Sequence, residues 1–204
     1  MQVREKGIYL KILKLLSAKG THFTTEDLAR ALGTSKRTVY TYFNNKYDII
    51  DKTIDFVFQE IGSMDQQILS DPELAFSEKI KRYIKNIPDT YYIGVLIRYA
   101  DDLQRFYPEL WEKIKQYLDA TWDELIQLVE EGIQAGLLNP VNTAVLRLIL
   151  DQTMGRLLDY EFVTKSGISF ESGMQAMCDI ILFGLMDTPK YETHTKRPQV
   201  IPKS

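Results

Sequence analysis

Cysteine is nearly absent: one thiol, Cys178, in 204 residues, which excludes a disulfide scaffold within the chain. Glycine and proline are sparse, at 11 and 7, so collagen-like and low-complexity classes fall away. No apolar run is long enough to cross a bilayer; the strongest, around residues 180–186, is far too short. The start holds Arg4, Glu5 and Lys6 and runs on through Lys11 and Lys14, which is not the pattern of a signal peptide. The expectation is a cytoplasmic protein with a reduced thiol and no membrane partner. Histidine is rare too. His22 and His194 lie far apart, no His, Cys and carboxylate cluster has metal-ligand spacing, and there is no glycine-rich phosphate loop. Neither a metal, a cofactor nor an enzyme activity is expected.

Hydrophobic residues make up 45% of the chain, enough for a real core. The formal charge of −3 tells against nucleic acid only until it is divided. Residues 1–52 hold ten Lys and Arg against five Asp and Glu, a surplus of +5; the remainder holds fifteen against twenty-three, or −8. Charges act locally, within a Debye length of about 8 Å at cellular salt, so an acidic total does not forbid a basic face from binding phosphates.

Apolar spacings of three and four dominate, and period-two alternation is almost missing, so the fold class is all-α with about nine helices. Ile8, Ile12, Leu15 and Leu16 form the stripe of the first helix, which closes at Lys19-Gly20. Thr24 or Thr25 caps a short second helix ending at Gly33, and Ser35 caps a short third one holding Val39, Tyr40 and Phe43. A fourth starts near Lys46 and runs to about Leu69. Further helices are expected over 73–87, from Pro88 to about Leu103, from Pro108 to Gly136, over 140–165 and over 170–186. The domains expected are a head over 1–50, a larger helical domain over 51–187, and a disordered tail over 188–204 with little to bury.

Helix, tight turn, helix over 24–43 is a helix-turn-helix arrangement. Its second helix lies in the major groove and presents its outward side chains to base edges. With Val39 and Phe43 turned inward, the outward set is Lys36, Arg37, Thr38, Tyr40, Thr41 and Tyr42. Cations suit guanine acceptors and phosphates, Thr methyls suit thymine, and Tyr hydroxyls suit phosphate oxygens.

The run Thr34-Ser35-Lys36-Arg37-Thr38-Val39-Tyr40-Thr41-Tyr42-Phe43-Asn44-Asn45-Lys46-Tyr47-Asp48-Ile49-Ile50 resembles the signature of the tetracycline-repressor (TetR) family. Asp27-Leu28-Ala29 and Leu32-Gly33 before it fit as well. The resemblance covers about a quarter of the chain. It departs at Arg37, where the family often has Gly, and at Asn44. It implies that Thr24 or Thr25 and the amides beside them hold a phosphate, with Ser35 at the start of the reading helix. Lys36, Arg37, Thr38 and Thr41 would face bases, Tyr40 the backbone or a thymine methyl, Tyr42 the backbone and Lys46 a phosphate. It further implies a homodimer on a pseudo-palindromic double-stranded operator, and a ligand-binding and dimerisation domain after about residue 50.

Within that domain, residues 91–103 are apolar on nearly every side, interrupted by Arg98, which would need a carboxylate or an anionic ligand if buried. Tyr91, Tyr92, Arg98, Tyr99, Phe106, Trp111 and Trp122 are the candidate lining of a pocket for a small-molecule effector. Val145, Leu148, Ile149, Gln152 and Gly155, with Met177, Ile181 and Gly184, are the candidate dimer seam, two helices from each chain making a four-helix interface. Glycine inside a helix costs about 1 kcal/mol against alanine, and close helix approach would explain Gly155 and Gly184. The expected function is transcriptional regulation by a repressor that a small molecule releases from its operator. The alternative is a helical small-molecule-binding protein or enzyme with a purely structural head.

Overall fold

The computed structural model describes residues 2–89 and 91–186. Those residues are mostly helical, with no strand among them. The chain begins with α1 (Gln2–Lys19), a 3₁₀ turn (Gly20–His22), α2 (Thr25–Leu32) and α3 (Lys36–Tyr42). It continues through α4 (Lys46–Ser70), α5 (Phe76–Asp89), α6 (Tyr91–Arg98), α7 (Ala100–Phe106) and α8 (Pro108–Gln134), and closes with α9 (Thr143–Leu157), α10 (Tyr160–Ser166) and α11 (Phe170–Met186).

Among the described residues, eleven α-helices stand where about nine were expected, because two expected helices each divide. The 88–103 segment breaks at Tyr99, whose backbone leaves the helical region with ψ 28° before α7 begins. Pro88 does not open a helix; it lies in the last turn of α5. The 140–165 segment breaks at Asp159, whose carboxylate accepts from the Glu161 and Phe162 amides at 3.0 and 3.2 Å and so starts α10 as a new helix. An Asp that satisfies backbone donors locally offers the chain an alternative to continuing the helix. The expected tail at 188–204 lies outside the described residues.

The head is built on a small apolar centre of Ile12, Leu16, Phe23, Leu28, Val39 and Phe43, each at most 4% exposed. Tyr9 ties three helices together, stacking on Phe56 of α4 at 4.8 Å and meeting Phe43 edge-on at 6.3 Å. Burying such side chains is worth about 1.5–3 kcal/mol each, which is how helices of seven and eight residues, too short to persist alone, stay folded.

α4 runs unbroken across the expected boundary at residue 50. Its first turns bury Ile49 and Ile50; further along, Phe58 stacks on Tyr117 of α8 at 4.5 Å. Along this α4–α8 seam, Tyr47 donates to Glu109, Lys113 bridges Asp51 and Asp55 at 2.6 Å each, and Tyr117 donates to Asp55 at 2.7 Å. Residues 47, 51, 55 and 58 recur at helical spacing, so one face of α4 is held over about three turns against residues 109, 113 and 117 of α8. The body's core includes Ile80, Ile84, Tyr83, Ile114, Trp122 and Val129. Gly132 of α8 is a packing glycine: a Cβ there would lie 2.6 Å from Leu138 and from Phe76.

Candidate nucleic-acid interface

α2 is fixed at its start by Thr24. The Thr24 hydroxyl accepts from the Asp27 amide at 3.1 Å, while the Asp27 carboxylate accepts from the Thr24 amide at 2.9 Å. This reciprocal cap leaves Thr25 as the first helical residue and resolves the choice between the two threonines. Lys19 donates to the same carboxylate at 2.7 Å. The Lys19 ammonium, then the Thr24 donors, hold Asp27 well below the usual carboxylate range. Gly33 ends α2 in the left-handed region at φ 67°, where its amide and that of Thr34 return to the Arg30 and Ala29 carbonyls at 3.1 and 2.9 Å. Glycine adopts that conformation at no steric cost, and the turn aims α3 away from α2.

Ser35 then caps α3, accepting from the Thr38 amide at 3.1 Å. Val39 is fully buried and Phe43 nearly so, which turns the opposite face of this short helix outward. Lys36, Arg37 and Thr41 are exposed, Tyr40 and Tyr42 are 49% and 46% exposed, and Thr38 is half-buried. Thr38 shares a 2.9 Å hydrogen bond with the Ser35 hydroxyl, and Thr41 donates to the Thr38 carbonyl at 2.7 Å. Both Thr hydroxyls are therefore held by their own helix, leaving methyl groups and lone pairs outward. Among the described residues, Lys36 and Arg37 have no hydrogen bond or ion pair, so their donors face solvent unspent.

Lys46 stands differently from the other cations. It is half-buried, with Nζ 5.2 Å above the Phe23 ring, and burial pulls its pKa below the ordinary value, against the attraction of Asp102. Asn45 caps α4 by accepting from the Asp48 amide at 2.9 Å. One residue of the interface escaped sequence reasoning. Lys52 donates to the Tyr42 carbonyl at 3.1 Å and to Asp48 at 3.0 Å, placing a cation at the C-terminus of α3 where the helix dipole favours it. Its only trace in sequence is the i, i+4 pairing with Asp48.

The candidate pocket residues do not converge. Trp122 is a core side chain at 1% exposure, and Trp111 is buried beside a surface cavity that also meets Lys115, Gly155 and Glu161. Phe106 is 49% exposed and packs edge-on to His22 at 5.9 Å. Tyr99 is half-buried and donates to the Ser17 carbonyl at 2.9 Å. Arg98 is exposed rather than buried, at the rim of a cavity of about 300 Å³ between α6, α9, α10 and α11 that Glu171 also lines. The side chains of Tyr91 and Tyr92 lie outside the described residues.

The candidate seam residues do come together. Val145, Ile149, Gln152, Met177, Ile181 and Gly184 line an open, strongly apolar groove of about 910 Å³ between α9 and α11. Met177 and Ile181 form its floor, buried, and Leu148 stands exposed beside it. Sequence reasoning missed Ile180, which lines the groove at 72% exposure, and Phe183 on the same helix, which stands 71% exposed outside the groove lining. Gly155 lies on the α9 side facing the Trp111 cavity. A Cβ at Gly155 or Gly184 would meet nothing within 4 Å, so packing inside the chain does not require either glycine. Cys178 is buried beneath this face, and burial pushes its thiol up to about 12, away from nucleophilic chemistry. No described helix is long and apolar enough to cross a membrane.

Residues 8–53 match the family described as bacterial regulatory proteins, tetR family. Over 184 residues, the chain is 23% identical to the HTH-type transcriptional regulator YvaF of Bacillus subtilis, covering 89% of this chain and 95% of that one. The transcriptional regulator FadR of Bacillus subtilis, solved in complex with stearoyl-CoA, shares the fold at TM-score 0.61 and 18% identity, over 90% of this chain and 99% of FadR. A transcriptional regulator from Saccharomonospora viridis, solved in complex with choline, does so at TM-score 0.68 and 17% identity, over 92% of this chain and 99% of that one. With the helix-turn-helix geometry of α2 and α3, the match identifies residues 8–53 as a head like that of the tetR family of bacterial regulatory proteins, and the chain as a whole shares the fold of these solved regulators.

Proposed function

We propose that this protein is a homodimeric repressor that reads an operator with α3 and leaves it when a small molecule binds the helical body. The observation that carries the reading is the α3 face: Lys36 and Arg37 unpaired and exposed, with Thr41, Tyr40 and Tyr42 around them, on a helix anchored from behind by Val39 and Phe43. Lys36 and Arg37 reach base edges or phosphates, Tyr42 the backbone, and the capped start of α2 at Thr24 and Thr25 a phosphate. Arg37 adds a second long donor to this face and biases base choice toward guanine.

The α9–α11 groove supports the dimer. Ile180 and Phe183 leave an apolar ridge open to water, and a second copy of the same ridge would cover it across a two-fold axis. Two heads so related read two half-sites roughly 34–36 Å apart. The stearoyl-CoA and choline complexes of the two relatives support a ligand-binding body, with an effector acting by favouring a head spacing that does not fit DNA. As a chromosome-binding regulator the protein works in the cytoplasm.

The test is binding to the gene's own upstream DNA, followed across salt concentration. Tyr42→Ala with Lys46→Ala lowers affinity about tenfold or more and reduces the salt slope by roughly 1. Unchanged affinity and slope would overturn the assignment of α3 and the start of α4.

A further inference from the structure

α4 is not the head's only root in the body. The last turn of α1 and the 3₁₀ turn after it press against the break between α6 and α7. Tyr99 sits at that break and donates its hydroxyl proton to the Ser17 carbonyl at 2.9 Å. Its ring lies against Gly20, which holds φ +59°; a Cβ on Gly20 would come within 2.8 Å of the ring carbons Cδ1 and Cε1. Glycine here is required twice over, by backbone conformation and by space. One turn further, Asp102 accepts from the Thr21 hydroxyl at 3.2 Å and stands 3.6 Å from His22 Nε2. Its Oδ2 would be 3.1 Å from a Cβ on Gly20. Phe106, a further turn along, packs edge-on to the His22 ring. Thr21 itself is only 2% exposed. Asp102 also acts on Lys46 at the start of α4, favouring its charged form. The end of α1 and the start of α4 thus both refer to one short helix of the body.

We propose that Tyr99 and Asp102 form a latch that sets the orientation of the DNA-binding head, with Gly20 as its seat. They are positioning residues: neither belongs to the α3 face, and both act through the turn that carries α2. The latch gives the body a second route to the head besides the α4 lever. A shift of the α6–α7 break moves the end of α1 directly, and the rotation of the head is fixed by two attachments where one would leave a swivel. A single helix crossing between two bodies constrains tilt better than rotation; a second contact, offset from the first, constrains both. The proposal deepens the regulatory reading above and uses it only for its DNA arm.

Hydrogen exchange on the full-length protein tests it, comparing wild type with Tyr99→Phe, Asp102→Asn and Gly20→Ala. Tyr99→Phe keeps the ring and removes only the Ser17 hydrogen bond, so the fold is retained. Exchange at residues 17–32 is expected to speed up by roughly fivefold to tenfold in Tyr99→Phe and Asp102→Asn, and more in Gly20→Ala, while α8 and α11 keep the wild-type rate. Affinity for the upstream DNA is expected to fall about tenfold in the same variants, with the melting temperature of the body unchanged. A merely structural contact would lower the melting temperature and speed exchange in the body as well. Wild-type head exchange in both Tyr99→Phe and Asp102→Asn overturns the latch, as does a faster head with full DNA affinity. Wild-type protein that fails to bind the DNA sinks the regulatory reading alone, since head exchange still decides whether the latch exists.

Discussion

On α3 the exposed side chains are Lys36, Arg37, Tyr40, Thr41 and Tyr42; on α9 and α11 the exposed large hydrophobics are Val145, Leu148, Ile149, Ile180 and Phe183. Both faces are open to solvent in the single chain, yet they ask for different partners. The first carries cations and hydroxyls whose interaction with phosphate grows as salt falls, and it is hydrated without cost when empty. The second carries hydrocarbon that water tolerates at roughly 25 cal/mol per Å², so it is stable only when covered. The comparison teaches that exposure alone assigns nothing. The chemistry of what is exposed separates a surface suited to nucleic acid from one suited to burial against another apolar surface.

The largest expected effect is on the apolar face. Ile180→Glu with Phe183→Glu places carboxylates where hydrocarbon should be buried, and sedimentation should show the mass halved from dimer to monomer. At about 1.5–3 kcal/mol for each buried side chain, and four lost per dimer, the association constant falls by well over a thousandfold. Undiminished dimer mass would break the comparison by removing the second face from the interface. Next comes the polar face. Lys36→Ala with Arg37→Ala should cost DNA affinity about tenfold to a hundredfold and reduce the salt slope by roughly 1–2, with dimer mass untouched. Equal losses at low and high salt would mean that these residues act on bases alone.

Two glycines sharpen the comparison at the level of stability. Gly132→Ala in the body drives a Cβ to 2.6 Å from Leu138 and Phe76 and should destabilise by about 1–3 kcal/mol, seen as a lower melting temperature. Gly33→Ala in the head meets nothing within 4 Å but must hold φ 67°, so it should cost about 1 kcal/mol and appear mainly as weaker DNA binding. A larger melting loss for Gly33→Ala would reverse that ranking.

The smallest effect is a difference in sign with pH. Asp65, in the body, is buried; burial raises it from 3.8 to about 6, opposed by its hydrogen bond from Asn86 at 2.9 Å. The native state then holds the proton more tightly than the unfolded state, so this residue's contribution to stability decreases as pH rises from about 4 to 6. Asp27, in the head, is held low by Lys19 and Thr24, so its contribution is present above about pH 4 and is lost as pH falls. Asp65→Asn should raise the melting temperature at pH 7 and flatten its dependence between pH 4 and 6. Asp27→Asn should lower the melting temperature at pH 7 and leave that window otherwise as in the wild type. Matching pH profiles for the two variants would remove the contrast.

The head was legible because its signals are local. Thr24 with Asp27, Gly33, and Ser35 with Thr38 each act within four residues, so spacing in sequence is spacing in space. Lys52 was missed because its useful contact, the Tyr42 carbonyl, is ten residues away. In the body, Val145, Leu148 and Ile149 could be assigned to one face of α9, since helical periodicity fixes a face. Ile180 and Phe183 were passed over because an apolar helix with few polar positions does not say which of its sides is uncovered. The aromatic set failed to form one pocket for the same reason: Trp122 and Phe106 look alike in sequence, yet one is core and the other lies against His22.

By itself the sequence determined the all-α class, the helix-turn-helix, the caps that hold it and the division of charge into +5 and −8. These follow from interactions within a turn or two of helix, where the chain's own geometry sets the distances. Only the tertiary structure decided that Tyr99 reaches Ser17, that Lys113 bridges two aspartates of α4, and that Ile180 and Phe183 stand uncovered. Those contacts join residues 58 to 82 positions apart, or depend on what does not pack against a helix. Distances of that kind are set by how eleven helices fill space together, which no single stretch of chain specifies.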